Sequence, residues 1–429
     1  MQELNQIHSL LQTINACKKK LTAKNIFIAR PEFVPFLKDW SDAISNAALQ
    51  LYGVTPRYTA QFLDILGDSI RKNKSLLPAY QVYDEWEKIF LTDYEFLNGL
   101  PVRTDYEFEK IMLAVTRATP EALLQRLLDV FRHFEKELPE VARIMTGCYS
   151  NWNHLWGDFD PKSGNYAHFI NGILDLKEHT EDYKDFYYNL SDYRSKCVLI
   201  GILKFRLELD LAYKETIRET IFKQYFDFDI LKEPMPDGVF VDCGAYDGDT
   251  ALDFLNSFSG CRKMYLYEMV PSCIRKAQEN LKDYDNIVYR NVGVGSREQV
   301  GTTVKIQDFV GTSASIQSDN TAYNPLLTGR DVQEEPVDIP LAALDEDITE
   351  PITFLKMDIE GSEINALLGA KEHIVNDKPR LAVCTYHNYS HLWQAMQTIR
   401  QLRPDYRFYL RFYGKEGSVT ESEHVLYAI

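Results

Sequence analysis

Two hydrophobic patterns divide the chain. In the first half, apolar residues recur at the three- and four-residue spacing of one helical face, as in the run from residue 4 to residue 14. Two more helices are predicted to begin where a threonine precedes a proline, at Thr55 and at Thr119, because the hydroxyl caps the first turn and proline suits the first helical position. A further helix, capped by Ser191, is predicted to run through Leu207.

The period of the pattern changes at Val239. Short apolar runs then alternate with amphipathic ones, and this strand–helix alternation predicts parallel pairing through right-handed crossovers. Helices are predicted between Glu363 and Val375 and between Ser390 and Leu402. The last two predicted strands leave no room for a helix and should pair antiparallel. The predicted strands are VFVD, KMYLYE, NIVYRNV, VDIPL, TFLKMD, RLAVCTY, YRFYLRF and HVLYAI.

The predicted fold class is α/β, with a doubly wound, mostly parallel seven-stranded sheet preceded by a mainly α-helical N-terminal region. We expect a helical N-terminal domain over residues 1–150, a helical connecting region over 151–235 and the α/β domain over 236–429. The first boundary is placed in the segment 147–166, where glycine, asparagine, aspartate and proline occur at the frequency of turns.

The amino-acid composition and net charge of the chain limit the class of protein and the kinds of binding partner that we expect. A hydrophobic share of 45% with 26% charged residues is typical of a folded globular protein. The net charge of −16 repels polyphosphate, so we expect no nucleic-acid partner. The chain shows no secretory signal and no run as long as a membrane span, which predicts a cytoplasmic protein. Its seven scattered cysteines form no CxxC pair and are expected to be reduced thiols.

The run VFVDCGAYDGDT is the first candidate for a ligand site. It reads as a buried strand ending at Asp242, a turn with Gly244 and Gly248, and a helix opening near Thr250. Glycines would let the backbone approach a ligand, and the helix N-terminus would offer amide donors. The G-x-x-x-G spacing differs from the G-x-G-x-x-G of dinucleotide sites, which favours S-adenosylmethionine (SAM) over NAD. The alternative is a plain tight turn.

Glu268, at the end of KMYLYE, can accept hydrogen bonds from both hydroxyls of an adenosine ribose. SAM and NAD share that ribose, so this residue does not discriminate between them. The alternative for Glu268 is a solvated charge at a strand end.

A third group of candidates follows the next buried strands. In FLKMDIEGSE, Asp358 and Glu360 come at the carboxyl end of a strand, where ligands of such sheets bind, whereas the acidity at Glu363 is attributed to the start of a helix. His387 follows RLAVCTY and could face the same crevice. These residues are candidates for catalysis, as bases or acceptor-binding groups. Asp358, Glu360 and His387 could also bind a cation, but their spacing does not require one, and no metal is predicted.

The runs VFVDCGAYDGDT, YLYEMVP, NVGVGS and LKMDIEGSE, in this order, resemble the FkbM family of SAM-dependent methyltransferases. The resemblance extends from about residue 236 to the end of the chain. It implies a class I, Rossmann-like methyltransferase fold, SAM as the cofactor, and O-methylation of a hydroxyl on a sugar, glycan or natural product. Together, the resemblance and the glycine turn predict cofactor contacts at Asp242, Gly244, Ala245, Tyr246, Gly248, Thr250, Glu268, Asn291 and Val292.

Two other functions stay open at this point. One is a nicotinamide-dependent oxidoreductase, which the glycine spacing disfavours. The other is a non-catalytic glycan-binding or scaffold protein with a SAM-type fold. The N-terminal helices either shape the pocket for the acceptor or mediate assembly, for example as a homo-oligomer. The polar run GTSAS, residues 311–315, is either a cover for the acceptor or a surface loop.

Overall fold

The computed structural model describes residues 103–231, 235, 237–258, 261–306, 315–316, 322–323 and 337–429. The helices predicted between residues 4 and 14 and after Thr55 lie outside these residues, as does GTSAS apart from Ser315. None of the described helices is long and apolar enough to cross a membrane. The six cysteines among the described residues are free thiols.

The described part of the N-terminal region is helical, as predicted. Its apolar faces contribute to a core that contains Phe108, Phe131, Tyr183 and Leu199, each 0% or 1% exposed. The helices are α1 Arg103–Arg117, α2 Pro120–Glu137, α3 Pro139–Asn151, α4 Asn153–Trp156, α5 Ala167–Glu178, α6 Thr180–Asn189, α7 Tyr193–Glu208 and α8 Leu211–Ile217.

Two predicted helix starts can be compared with this region. Thr119 caps α2 as predicted, since its hydroxyl accepts the amide of Ala122 at 3.3 Å. The predicted cap at Ser191 is wrong by one residue. Asp192 caps α7 by accepting the amide of Ser195 at 2.7 Å, and the Ser191 hydroxyl instead accepts the amide of Phe408 at 3.0 Å. The Asp192 carboxylate, which follows Ser191 in the chain, occupies the capping position that was predicted for the Ser191 hydroxyl.

The α/β part contains the predicted seven-stranded sheet, in the order β11–β12–β10–β9–β1–β2–β3. The neighbouring pairs among β10, β9, β1, β2 and β3 are parallel, whereas β12 runs antiparallel to both β10 and β11. The antiparallel pair predicted at the end of the chain is therefore confirmed. The strands are β1 Val239–Cys243, β2 Lys263–Tyr267, β3 Ile287–Arg290, β4 Gly293–Val294, β5 Thr303–Ile306, β6 Ser315–Ile316, β7 Ala322–Tyr323, β8 Val337–Ala342, β9 Phe354–Met357, β10 Arg380–Cys384, β11 Phe408–Phe412 and β12 His424–Ala428.

One prediction for this part is confirmed with a new detail, and another needs correction. VDIPL is a strand, but as β8 it lies in a separate three-stranded sheet between β4 and β5. The single helix predicted from Glu363 to Val375 is two helices that meet at Ala370. The break follows Gly369, where a Cβ atom would lie 2.0 Å from the carbonyl oxygen of Gly295. The helices are α9 Asp249–Phe258, α10 Pro271–Asn280, α11 Leu344–Asp347, α12 Glu363–Gly369, α13 Lys371–Asn376 and α14 His391–Leu402.

The helical region packs directly on the edge of the sheet. Leu190 forms a parallel bridge with Phe408, and Arg218 forms one with Phe412, so that chain segments on both sides of α7 bond to β11. One hydrophobic core runs through both regions without interruption. The fully buried Arg411 of β11 binds Asp192, the cap of α7, at 2.6 Å. The helices are therefore fixed against the sheet, while the predicted domain boundaries stay predictions.

Candidate active site at the carboxyl ends of the strands

The strand β1 delivers a buried ion pair to the centre of the sheet. Asp242 is 0% exposed, and the Nζ atom of Lys356, on the neighbouring strand β9, lies 2.9 Å from its carboxylate. Lys356 also donates to the carbonyl oxygen of Gly244 at 2.7 Å. Burial raises the pKa of Asp242 to about 6, even though the charge of Lys356 opposes that rise. The lysine thus joins the end of β1 to β9.

The two glycines of the bend have φ values near +84°, a backbone conformation that other residues rarely adopt. A Cβ atom at Gly244 would lie 1.9 Å from the carbonyl oxygen of Asp358, and one at Gly248 would lie 2.7 Å from Leu281 Cδ1. The sequence predicted that these glycines permit a close approach to a ligand. In the structure, Gly244 instead lies close to Asp358, in the loop after β9, and Gly248 lies close to Leu281, the residue after α10.

The amides of the bend are largely bonded within the protein. Gly244 and Ala245 both donate to the carbonyl oxygen of Tyr267, at 2.9 and 3.0 Å, and Gly248 donates to Ala245 at 2.8 Å. The Thr250 amide lies 2.6 Å from the side chain of Asp249. These bonds leave side chains near the bend, more than its amides, to recognise a ligand.

Glu268 points into the bend. One of its carboxylate oxygens accepts the amide of Tyr246 at 2.9 Å, and the other accepts the amide of Val270 at 2.8 Å. Burial raises the pKa of Glu268 to about 7, because the two amide bonds only partly offset the loss of water. Each oxygen keeps a second acceptor position, so the carboxylate can still receive two hydroxyl donors. This geometry fits the ribose diol of SAM.

The predicted Asn291–Val292 contact lies beside Glu268. The Asn291 side chain donates to the carbonyl oxygens of Glu268 and Met269, at 2.9 and 3.0 Å. Val292 is half-buried and packs against the core. Asn291 therefore fixes the backbone that carries Glu268.

The structure brings Asp358, Glu360 and His387 together. His387 is fully buried, and its Nε2 atom lies 3.4 Å from Asp358 Oδ1 and 3.3 Å from Glu360 Oε2. The two carboxylates are partly exposed, at 24% and 16% of their side chains. Asp358 also accepts the hydroxyls of Tyr225, at 2.7 Å, and Tyr386, at 3.1 Å. Solvent therefore reaches part of both acidic side chains but not the imidazole, and the Glu360 Oε2 atom that faces the imidazole is itself buried.

Glu363, whose acidity was attributed above to the start of a helix, holds His387 on the side opposite Asp358 and Glu360. It is 0% exposed and accepts the amides of Ile359, at 3.0 Å, and Gly361, at 3.1 Å. It also accepts Nδ1 of His387 at 2.7 Å, and Nδ1 of His391 lies 3.2 Å away. We call Asp358, Glu360, Glu363 and His387 the acidic cluster.

The acidic cluster sets the protonation of its histidine. Burial disfavours the charged imidazolium, but the carboxylates of Glu363, Glu360 and Asp358 outweigh it and raise the pKa of His387 to about 10. In this arrangement His387 holds its proton at neutral pH. Asp358 and Glu360 are then better placed than His387 to accept a proton from a substrate.

The sequence analysis did not identify Lys356, Tyr225 or Tyr386 as part of this site. A lysine inside the apolar run FLKM was a usable signal, because a buried lysine needs a charged partner. Tyr386 adjoins His387 and could have been found with it. Tyr225 lies 133 residues from its partner Asp358, and no local pattern predicts that contact.

The helical region reaches this site as well. Trp156 of α4, 4% exposed, donates its indole N–H to the carbonyl oxygen of Tyr386 at 2.8 Å. Leu155 is the nearest side chain to a Cβ atom placed on Gly361, at 3.8 Å. The helices thus form one wall beside the acidic cluster.

Comparison with known proteins gives a family for the α/β part. The family model described as the methyltransferase FkbM domain matches residues 242–414, which include the glycine bend, Glu268 and the acidic cluster. A comparison with curated proteins finds no match to the chain.

Several solved structures resemble the chain at low identity. The methyltransferase FkbM from Methylobacillus flagellatus KT is 22% identical, with 61% of this chain and 64% of that chain covered and a TM-score of 0.48. An rRNA methylase from Streptococcus thermophilus is 15% identical, covering 49% and 98%, with a TM-score of 0.30. Aeropyrum pernix fibrillarin, with natively bound S-adenosyl-L-methionine, is 12% identical, covering 46% and 67%, with a TM-score of 0.27.

The matched residues contain the runs YLYEMVP, NVGVGS and LKMDIEGSE. The α/β part of this chain, over residues 242–414, is a methyltransferase FkbM domain.

Proposed function

We propose that the protein is a SAM-dependent O-methyltransferase that acts on a hydroxyl of a sugar, glycan or natural product. The observation that carries this proposal is the position of Glu268, whose carboxylate bonds the amide of Tyr246 in the glycine bend and keeps acceptor positions for a diol. The family of the domain supports methyl transfer.

The cofactor would lie across the ends of β1 and β2. Glu268 would accept the two ribose hydroxyls. Asn291, which bonds the carbonyl oxygens of Glu268 and Met269, would lie beside the adenine together with Val292. The bend from Asp242 through Gly244, Ala245, Tyr246 and Gly248 to Thr250 would line the amino-acid end. When bound, SAM supplies a methyl group on a positively charged sulfur.

The acceptor would lie over the acidic cluster. Methyl transfer would form a carbon–oxygen bond as the carbon–sulfur bond breaks and leaves a neutral thioether. The acceptor hydroxyl must then lose its proton, and Asp358 and Glu360 are the partly exposed bases at this edge. His387 would act as a positioning residue for both carboxylates. The hydroxyls of Tyr225 and Tyr386 would hold Asp358 in one orientation for in-line attack. The wall formed by α4 supports a role for the helices in shaping the acceptor pocket.

Calorimetric titration of the full chain with SAM and, separately, with NAD tests the cofactor. We expect SAM alone to bind, and Glu268→Gln to weaken binding about 10- to 100-fold, because hydrogen bonds to a charged group contribute about 1.5–3 kcal/mol. Glu298→Gln, which removes an exposed carboxylate elsewhere in the domain, is the control and should bind normally. Binding of NAD instead of SAM would contradict the proposal.

Transfer is tested with methyl-labelled SAM and fractions containing sugars, glycans and small hydroxylated compounds. We expect label on an acceptor oxygen and little transfer by Asp358→Asn. Tight SAM binding without transfer to any fraction would instead favour the non-catalytic binding protein.

A further inference from the structure

A chain of hydrogen bonds reaches Asp358 from outside the acidic cluster. The Tyr225 hydroxyl donates to Asp358 Oδ2 at 2.7 Å. The side-chain amide of Gln224 donates to the Tyr225 oxygen at 3.0 Å and to Glu423 Oε2 at 2.8 Å. Gln224 and Glu423 are 199 residues apart, so two distant segments of the protein meet beside Asp358.

The chemistry of the groups gives each of these bonds one direction. An ionised carboxylate only accepts, so Glu423 must face the NH₂ group of Gln224 and not its carbonyl oxygen. The other N–H of that group is then directed at the Tyr225 oxygen, which accepts it and keeps its own proton for Asp358. The Cys384 thiol lies 3.5 Å from the same oxygen, and burial raises its pKa, so that it too retains a proton to donate.

The backbone is unusual at both ends of the link through Gln224. Tyr225 has a φ of +67° and Glu423 a φ of +77°, in the left-handed region that residues other than glycine rarely adopt. The carbonyl oxygen of Glu423 accepts the amide of Tyr413 at 2.9 Å, so pairing with the end of β11 fixes its position. Strained residues persist where the surrounding structure imposes them, and they cluster at functional sites.

The carboxylates at the two ends of the hydrogen-bond chain also interact through their charges. Burial and the charge of Asp358 raise the pKa of Glu423, whereas the bond from Gln224 lowers it. That bond therefore favours the ionised form of Glu423, which is the form that fixes the direction of the amide.

We propose that Gln224 and Glu423 are positioning residues that act on Asp358 through Tyr225. Glu423 orients the Gln224 amide, the amide makes the Tyr225 oxygen an acceptor, and Tyr225 then donates its single proton to Asp358. With the amide turned over, the Gln224 carbonyl oxygen would compete with Asp358 for that proton. The consequence for catalysis rests on the proposed function: the hydrogen-bond chain would hold the Asp358 carboxylate in the orientation that receives the proton of the acceptor.

The experiment measures kcat for methyl transfer, and SAM affinity, for two substitutions at Gln224 in the full chain. Gln224→Met removes both donors and should lower kcat about two- to threefold. Gln224→Glu places a carboxylate acceptor beside Tyr225 and should lower kcat at least about fivefold. SAM affinity should be unchanged in both. A role in packing alone predicts the reverse order, because glutamate has the shape of glutamine.

Further variants test whether the effect passes through Tyr225. In the Tyr225→Phe background, Gln224→Glu should lower kcat less than about twofold. Glu423→Met should match Gln224→Met. Gln397→Glu is the matched control, because Gln397 of α14 also donates to a carboxylate, that of Asp182, at 2.7 Å, and it should keep the kcat of the wild type. A kcat of Gln224→Glu equal to that of the wild type, or the full loss in the Tyr225→Phe background, would overturn the proposal.

A measurement without acceptor separates this proposal from the proposed function. In protein labelled with ¹³C at tyrosine Cζ, the NMR signal of Tyr225 is assigned by its loss in Tyr225→Phe. Glu423→Met changes the partner of Gln224 and should shift this signal, whereas Gln397→Glu should not. An unshifted signal in Glu423→Met would overturn the proposal. If the wild type transfers no methyl group, the proposed function fails, and the Tyr225 signal still decides the hydrogen-bond chain. Circular dichroism shows whether each variant retains the fold.

Discussion

The glycine bend and the acidic cluster lie at the same edge of the sheet, yet their polar groups are satisfied in opposite ways. In the bend, the amides of Gly244, Ala245, Tyr246, Gly248 and Thr250 bond within the protein, and Asp242 is neutralised by Lys356. In the acidic cluster, three carboxylates surround one imidazole, with His387 Nε2 at 3.4 Å from Asp358 and 3.3 Å from Glu360 and Nδ1 at 2.7 Å from Glu363. The polar groups of the bend are therefore held in place by internal bonds, and Glu268 is its one side chain available to bind a ligand. The carboxylates of the acidic cluster, in contrast, carry negative charge that can act on a substrate.

Lys356 is the residue whose loss should destabilise the bend most. Lys356→Met leaves Asp242 buried without its partner, which should lower the free energy of unfolding by about 3–5 kcal/mol, as expected for half of a buried ion pair. Urea unfolding measures the loss. Lys378→Met, which breaks an exposed pair with Asp405, should cost less than about 1 kcal/mol. Equal losses in the two variants would mean that the bend does not depend on this pair.

A substitution at Gly244 tests why the bend requires glycine at this position. Gly244→Ala adds a Cβ atom 1.9 Å from a backbone oxygen at a φ of +84°, so the bend must move, at a cost of about 2–5 kcal/mol. Gly301→Ala is a matched control, with a φ of +83° and nothing within 4 Å, and should cost only about 1–2 kcal/mol. Thermal unfolding of both variants separates the clash from the backbone strain. A similar loss in both would show that packing against Asp358 is not what requires the glycine.

The pH dependence of cofactor binding is a smaller effect. The pKa of Glu268 in the folded protein is about 7, above its ordinary value of 4.5, so the carboxylate is largely protonated at pH 6 and ionised at pH 8. Because ribose hydroxyls bond best to the ionised form, SAM affinity should rise about tenfold from pH 6 to a plateau above pH 8.

Two further readouts constrain this pH effect. Asp242 and Lys356 also act on Glu268, with opposite signs, so Glu268→Gln must be measured beside the wild type and should show a flat profile over the same range. Ionising Glu268 disfavours folding, so its contribution to stability should fall as pH rises from about 4.5 to about 7. A SAM affinity that falls with pH in the wild type would contradict the assigned role.

The sequence predicted what depends on local periodicity and missed what depends on distant contacts. Alternating apolar runs located the strands of the large sheet, and strand ends located Glu268, Asp358 and His387. The sequence could not show that Gly244 packs on the carbonyl of Asp358, because that contact joins two strands far apart in the chain. The position of β8 in a second sheet is likewise decided by its partners β4 and β5, not by its own pattern.

The smallest predicted effect concerns Tyr225, which precedes the family domain and binds the acidic cluster. Tyr225→Phe removes the hydroxyl that bonds Asp358 at 2.7 Å. Asp358 is partly exposed, so water can replace the lost donor. We therefore expect the activation free energy of methyl transfer to rise by only about 1 kcal/mol. This corresponds to a fall of about fivefold in kcat, with unchanged SAM affinity. Tyr188→Phe, on the exposed surface of α6 and bonded to Glu109, is the control and should transfer normally. An unchanged kcat in Tyr225→Phe would mean that Tyr386 alone orients Asp358, and that the segment before β1 contributes packing but no positioning to the site.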